Sequence, residues 1–113
     1  MRDFQSLCQI RRSYRKYTNQ PVEQEKLDYI IRCALMSPAG KRMNPWHFVV
    51  IKNEEILRQL AGCRTYGSGM FDTAMAGIVV AADTSVIDTW QCDAAIAAQN
   101  IWLAAADQGL GAC

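Results

Sequence analysis

The segment Ser37-Pro38-Ala39-Gly40-Lys41-Arg42-Met43-Asn44-Pro45-Trp46-His47-Phe48 sets the terms on which this chain can fold. A helical pattern stops at it and a strand pattern leaves it. Between them stand two prolines, a glycine, two cations and an amide. Pro38 disfavours helix at the residue before it, so Ser37 is where a helix must end. A loop so rich in special backbone and polar side chains does more than connect.

The pattern before the loop predicts two helices. Residues 3–10 place Phe4, Leu7, Cys8 and Ile10 at helical spacing. Glu23 to Met36 carries Leu27, Ile30, Ile31, Ala34 and Leu35 as an apolar stripe, with Glu23 and Glu25 in the first turn, where the helix dipole favours acids. Between these helices, Arg11 to Tyr17 breaks the period and reads as extended. After the loop, His47 to Lys52 is apolar and β-branched, the mark of a buried strand. Asn53 can cap a helix reaching Gly62, with Ile56, Leu57, Leu60 and Ala61 inward. Residues 63–73 read as a loop, and residues 76–82 as a second buried strand.

The last pattern is a helix from about Asp88 to Gln108. Its alanines fall on several faces beside Ile96, Ile101, Trp102 and Leu103, which predicts burial nearly all round. Gly109 stands where a left-handed cap belongs. Two strands make a poor sheet, and the chain ends on a helix cap followed by apolar residues. The expectation is therefore an incomplete chain, or one completed by a partner.

Composition narrows the class. With 113 residues, half of them hydrophobic, this is one globular domain or part of one. No run approaches the roughly 18–20 apolar residues of a membrane span, and no secretory leader is visible, so a cytoplasmic location is the default expectation. Five scattered cysteines without a Cys-x-x-Cys, and a single histidine, predict free thiols and no zinc. Net charge is +1, but residues 1–52 hold ten Lys/Arg against four Asp/Glu, and residues 53–113 hold two against seven. A cationic first half suits an anionic ligand such as a phosphate. Nucleic acid is disfavoured, because aromatics do not interleave with the cations as in a stacking platform.

Two stretches can carry chemistry. Arg11, Arg12, Ser13 and Arg15 offer three guanidiniums and a hydroxyl to a phosphate. In an extended segment Arg11, Ser13 and Arg15 share one face and Arg12 takes the other. A surface turn with scattered ion pairs would look the same. In the loop, Ala39 and Gly40 let a flat ligand approach the backbone, and Arg42 and Asn44 add donors. His47 has no nucleophile or acid around it to make a catalytic group. Glu54 and Glu55 are a helix start, and Gly67-Ser68-Gly69 lacks the Lys-Ser/Thr of a phosphate loop.

Together, Arg11-Arg12-Ser13-Tyr14-Arg15-Lys16-Tyr17, the loop from Ser37 to Val50, and the helix Asp93–Gln108 ending in Gly109-Leu110-Gly111 resemble the nitroreductase family of FMN-dependent oxidoreductases in order and spacing. The resemblance covers the chain from about residue 4 to its end. It implies a single α+β domain over residues 1–113, with a mixed, mostly antiparallel sheet flanked by helices and the C-terminal part missing. It implies a homodimer with FMN at the subunit interface, with Arg11, Arg12, Ser13 and Arg15 on the phosphate and ribityl chain. Pro38, Ala39, Gly40, Arg42 and Asn44 would pack on the flavin from the other subunit, and the alanine-rich helix would lie in the dimer core. Hydride would pass from NADH or NADPH through flavin N5 to a small acceptor such as a nitroarene, quinone or enone, with no catalytic side chain, metal, nucleic acid or membrane involved. The chain departs from the family in carrying Arg42 where Asn is common, Asn44 where Gln is common, and Ala39 for a usual Ser. The alternative functions are a non-catalytic flavin-binding or structural relative, and a small phosphate- or nucleic-acid-binding protein.

Overall fold

The computed structural model describes residues 2–113. Six regular elements follow one another: α1 (Phe4–Ile10), α2 (Gln24–Leu35), β1 (Trp46–Ile51), α3 (Glu54–Ala61), β2 (Gly77–Ala82) and α4 (Trp90–Asp107). Single 3-10 turns lie at Gly40–Arg42 and Gly69–Asp72. The architecture is α+β, as the sequence predicts.

The strands pair antiparallel, Trp46 opposite Ala82 and Ile51 opposite Gly77. Strand–helix–strand would also allow a parallel crossover, but α3 returns the chain beside β1 in the opposite sense. Asn53 starts α3 by accepting the Ile56 N–H at 3.0 Å. Leu57 alone is buried in this helix, and Ile56, expected inward, is exposed. Residues 63–73 form the predicted loop. Arg58 of α3 folds it down by donating to the carbonyls of Phe71 (2.9 Å) and Ala74 (2.8 Å), and the buried Ser68 hydroxyl donates to Ala61 (2.8 Å).

The core sits where α2 crosses α4. Leu27, Ile30 and Ala34 of α2 are buried. Ile30 meets Ala104 and Ala105, with Tyr29, Cys33, Ile78, Ile101 and Leu110 around them. Alanines at the crossing let the helices approach closely. Truncating Ile30 to alanine would cost about 2–5 kcal/mol.

Three burial expectations fail for one reason. α4 is not buried all round: Asp93, Ala97, Ala104 and Ala105 make one buried stripe, while Ile96 is exposed. Likewise β1 and β2 are not buried strands, since Val49, Val50 and Val79 are exposed. Leu35, at the end of the α2 stripe, is exposed as well. A run apolar on both faces of a strand matches cover on both sides. Among the described residues the sheet has two strands, and α4 lies against both of them. All five cysteines are free, and among the described residues no helix is long and apolar enough to cross a membrane.

Candidate functional site

The basic segment is held by its backbone. Helix α1 ends at Ile10, where Arg11 turns to an extended conformation (φ −61°, ψ 127°). Ser13 then pairs with Ala112 in a parallel bridge, and the Tyr14 N–H donates to the Ala112 carbonyl at 3.0 Å. The partner strand exists because Gly109, at φ 74°, closes α4 in a Schellman cap. Its two bonds run from Gly109 to Ala106 (3.0 Å) and from Leu110 to Ala105 (2.9 Å). Tyr14 leans on Gly111, where a Cβ would sit 3.1 Å from the tyrosine ring.

Trp102 of α4 joins these pieces. Its indole N–H donates to the Ala112 carbonyl at 3.2 Å, and the Arg11 guanidinium lies 4.4 Å from its ring centroid. Stacking on indole leaves the guanidinium edge free to donate. Among the described residues, Arg11, Arg12 and Arg15 form no ion pair; the ion pairs are Lys26–Glu23 and Arg58–Glu54.

An open cleft of about 500 Å³ runs along this segment, lined by Arg11, Arg12, Tyr14, Lys16, Lys26 and Trp102 among others. Ser13 and Arg15 are not in its lining. The alternation is real, but the face that meets the cleft is that of Arg12, Tyr14 and Lys16. Arg11 joins them because it sits at the bend out of α1. The expected grouping of Arg11, Ser13 and Arg15 on one face is corrected accordingly. A second, mostly apolar cleft of about 250 Å³ lies beyond Tyr17, against Leu27, Ile30, Phe71 and Ile101.

The loop Ser37–Asn44 is held differently, by side chains of α4. Lys41, Arg42 and Asn44 have φ of 50°, 56° and 47°. Left-handed backbone costs a non-glycine residue roughly 1–2 kcal/mol, less for asparagine. Two anchors offset that strain. Asp93, buried in the first turn of α4, accepts the Gly40 N–H at 3.1 Å on one oxygen and the Thr89 hydroxyl at 3.1 Å on the other. Two turns further along the same face, the Asn100 amide donates to the buried Ser37 hydroxyl at 2.8 Å.

These bonds change what the loop offers. The N–H groups of Gly40, Arg42 and Met43 are all engaged within the protein. The space left by the missing Gly40 side chain belongs to Thr89: a Cβ there would overlap Thr89 Oγ1 and lie 2.9 Å from Ile87 Cδ1. What this loop shows to solvent is side chains, with Arg42 and Asn44 exposed. Pro38 is exposed and Ala39 half-buried beside them. Neither cleft is lined by any of these five residues. The structure brings Arg11 and Arg12 to one cleft and leaves Pro38, Ala39, Gly40, Arg42 and Asn44 on a separate surface.

Asp93, Asn100 and Trp102 are the positioning residues that sequence reading passed over. A signal for two of them exists. Asp93, Asn100 and Asp107 recur every seven residues, two helical turns, as a polar line on a mostly apolar helix. Each ties down another part of the chain: Gly40, Ser37, and the Tyr29 hydroxyl, which donates to Asp107 at 2.7 Å.

The family model described as "Nitroreductase family" matches residues 9–65, which take in both the basic segment and the loop. A protein of Methanothermobacter thermautotrophicus with the provisional name NADH dehydrogenase/NAD(P)H nitroreductase is 38% identical over 97% of this chain, and 59% of that relative is covered. The solved structure of an FMN-dependent nitroreductase from Clostridium difficile R20291 superposes with a TM-score of 0.92 at 42% identity, over 95% of this chain and 62% of the other. A provisionally named nitroreductase from Desulfovibrio desulfuricans, solved in complex with FMN, gives 0.83 at 27% identity over 95% of this chain and 64% of the other. The chain thus spans about three-fifths of the length of the proteins it matches.

Proposed function

The chain belongs to the nitroreductase family, and from that premise we propose that it is an FMN-dependent oxidoreductase that works as a homodimer. Its electrons come from NADH or NADPH and go to a small acceptor, a nitroaromatic, quinone or similar compound. Bound FMN would supply the redox chemistry, taking hydride from the nicotinamide and passing it on.

The residues present fit that group. The single observation that carries the reading is the cleft where Arg11 is stacked on Trp102 and Arg12 lies unpaired beside it. Guanidiniums without carboxylate partners, one of them held by its stack on indole, are suited to a phosphate, which they grip with charge-assisted bonds. Ser13 and Arg15 complete this limb from the other face of the same segment, toward the ribityl chain and ring edge. The concentration of cations in the first half also favours a flavin that becomes anionic on reduction.

Pro38, Ala39, Gly40, Arg42 and Asn44 form the second limb. Their separation from the cleft of their own chain supports the reading that they serve the flavin of a second copy. Arg42 would then place a cation near the ring where family members commonly carry an amide.

Flavin titration tests the proposal. The purified protein, mixed with FMN, should quench flavin fluorescence at a defined stoichiometry, and the bound flavin should bleach with NADH or NADPH and recover with a quinone or nitroarene. A protein that leaves FMN fluorescence unchanged at micromolar concentrations would refute the assignment.

A further inference from the structure

The loop Ser37–Asn44 holds a conformation that its own residues disfavour, with three non-glycine residues at positive φ. Something outside the loop must fix it, and the structure shows what. Asp93 is 4% exposed, and its carboxylate forks between the Gly40 N–H and the Thr89 hydroxyl. Among the described residues no cation pairs with it. A buried carboxylate without a counter-ion is a poor way to add stability. It is a good way to fix geometry, because its two oxygens set both distance and direction toward two donors. Its place in the first turn of α4, where the helix dipole favours an acid, makes that burial tolerable.

We propose that Asp93, backed by Thr89, is a positioning residue for flavin binding, which sets where the loop presents Arg42 and Asn44 to the flavin ring. This rests on the reading of the loop as the ring-facing limb of the site. Asp93 itself touches neither ring nor phosphate; it acts through Gly40. The tight fit of Gly40 against Thr89 is the second half of the device, since a Cβ there would overlap Thr89 Oγ1 and force either the loop or Thr89 to move.

The two limbs make the inference separable from the function it rests on. Riboflavin carries the ring and ribityl chain without the phosphate, so it reports the ring limb alone. Fluorescence titrations with FMN and riboflavin are to be run on the full chain and on Asp93→Ala, Asp93→Asn and Arg12→Ala. Asp93→Ala is expected to weaken both flavins by the same factor, about tenfold or more, equal to about 1.4 kcal/mol. Asp93→Asn, which keeps the shape and the acceptor for Gly40, is expected to recover most of that loss. Arg12→Ala is expected to weaken FMN and leave riboflavin within about twofold. The midpoint potential of flavin still bound to Asp93→Ala should move to more negative values, because a displaced Arg42 no longer favours the reduced anion; loss of general stability would not move it. Unchanged affinity and potential in Asp93→Ala, or a loss confined to FMN, overturns the proposal. A parent protein that binds neither flavin overturns instead the function on which it rests. Should Asp93→Ala not fold, Gly40→Ala displaces the loop without touching Asp93. It should reproduce the equal loss. A Gly40→Ala protein with parental affinity for both flavins overturns the proposal.

Discussion

The basic segment Arg11–Tyr17 and the loop Ser37–Asn44 look alike as sequence: short, cationic and placed between regular elements. The structure builds them in opposite ways. The first is a strand-like stretch whose backbone is paired to Ala112 and whose guanidiniums form no ion pair among the described residues. The second is a strained turn whose backbone is pinned by buried side chains of α4. Side-chain changes in the first should therefore alter charge and little else. The second should respond to residues more than fifty positions away, since Gly40 to Asp93 spans 53 and Ser37 to Asn100 spans 63. Both limbs lean on one helix. Asp93 and Asn100, two turns apart on one line of it, serve the loop, and Trp102 with the Gly109 cap serves the basic segment.

The largest expected effects lie on the charged limb. Loss of one charged hydrogen bond costs about 1.5–3 kcal/mol, so Arg11→Ala or Arg12→Ala should weaken FMN by about tenfold to a hundredfold, with a shallower salt dependence. Arg15 is outside the cleft lining, so Arg15→Ala should cost less than Arg12→Ala. Equal losses in isothermal titration would show that both faces of the segment reach the ligand and would break the contrast drawn between them.

Next is Trp102→Leu. It removes the platform under Arg11, worth about 0.5–2 kcal/mol, and the indole bond to Ala112, worth about 1 kcal/mol. Stability to urea should fall by about 2 kcal/mol, with FMN affinity falling alongside and riboflavin affinity nearly kept. Trp102→Phe, which keeps an aromatic face, should retain most of the FMN affinity. If Leu and Phe behave alike, Arg11 does not depend on the stack.

Much of this is legible in the sequence. Asn53 as a cap, Gly109 as a left-handed stop and the helix end at Ser37 are local rules, settled by the residue and its immediate neighbours. The family resemblance rests on Arg11–Tyr17, the loop from Ser37 to Val50 and the helix ending in Gly109-Leu110-Gly111, and the family model matches residues 9–65, which hold the first two of these. What could not be read is what crosses the chain. Nothing next to Asp93 in sequence says that it holds Gly40, and nothing near Trp102 says that Arg11 lies on it. The burial of the strands and of α4 was overestimated because apolar content tells which surfaces prefer cover, not which elements supply it. The faces of the basic segment were misassigned because strict alternation ignores the bend at Arg11.

A smaller effect tests the loop's second anchor. Asn100→Ala leaves the buried Ser37 hydroxyl without its donor. The expected cost is about 1 kcal/mol in urea stability. Amide exchange should quicken across residues 37–44 and not across residues 11–14. Equal quickening in both would mean that α4 transmits strain between the limbs rather than holding each independently.

The smallest effect concerns the brace behind both limbs, and it appears only in alkali. Tyr29 of α2 donates to Asp107 at the end of α4, and that bond, reinforced by burial and by Cys33, pushes the phenol up to about 12 from its usual value near 10. A group whose pKa is higher in the folded state stabilises fully below its unfolded pKa. The folded protein keeps the phenolic proton that the unfolded chain gives up, so this contribution is lost as pH rises from about 10 through about 12. The urea midpoint of the parent protein should therefore fall across that window by more than that of Tyr29→Phe, which has no proton to lose, and the two curves should be parallel below pH 9. Arg2 donates to the carbonyls of Ala106 (3.1 Å) and Asp107 (2.9 Å) at the same helix end, yet contacts only backbone there. Arg2→Ala should consequently lower the midpoint by a similar amount at every pH in this range. If instead Tyr29→Phe tracks the parent through pH 12, the Tyr29–Asp107 bond does not tie α2 to α4, and the tie between these two helices is the Ile30–Ala104–Ala105 packing.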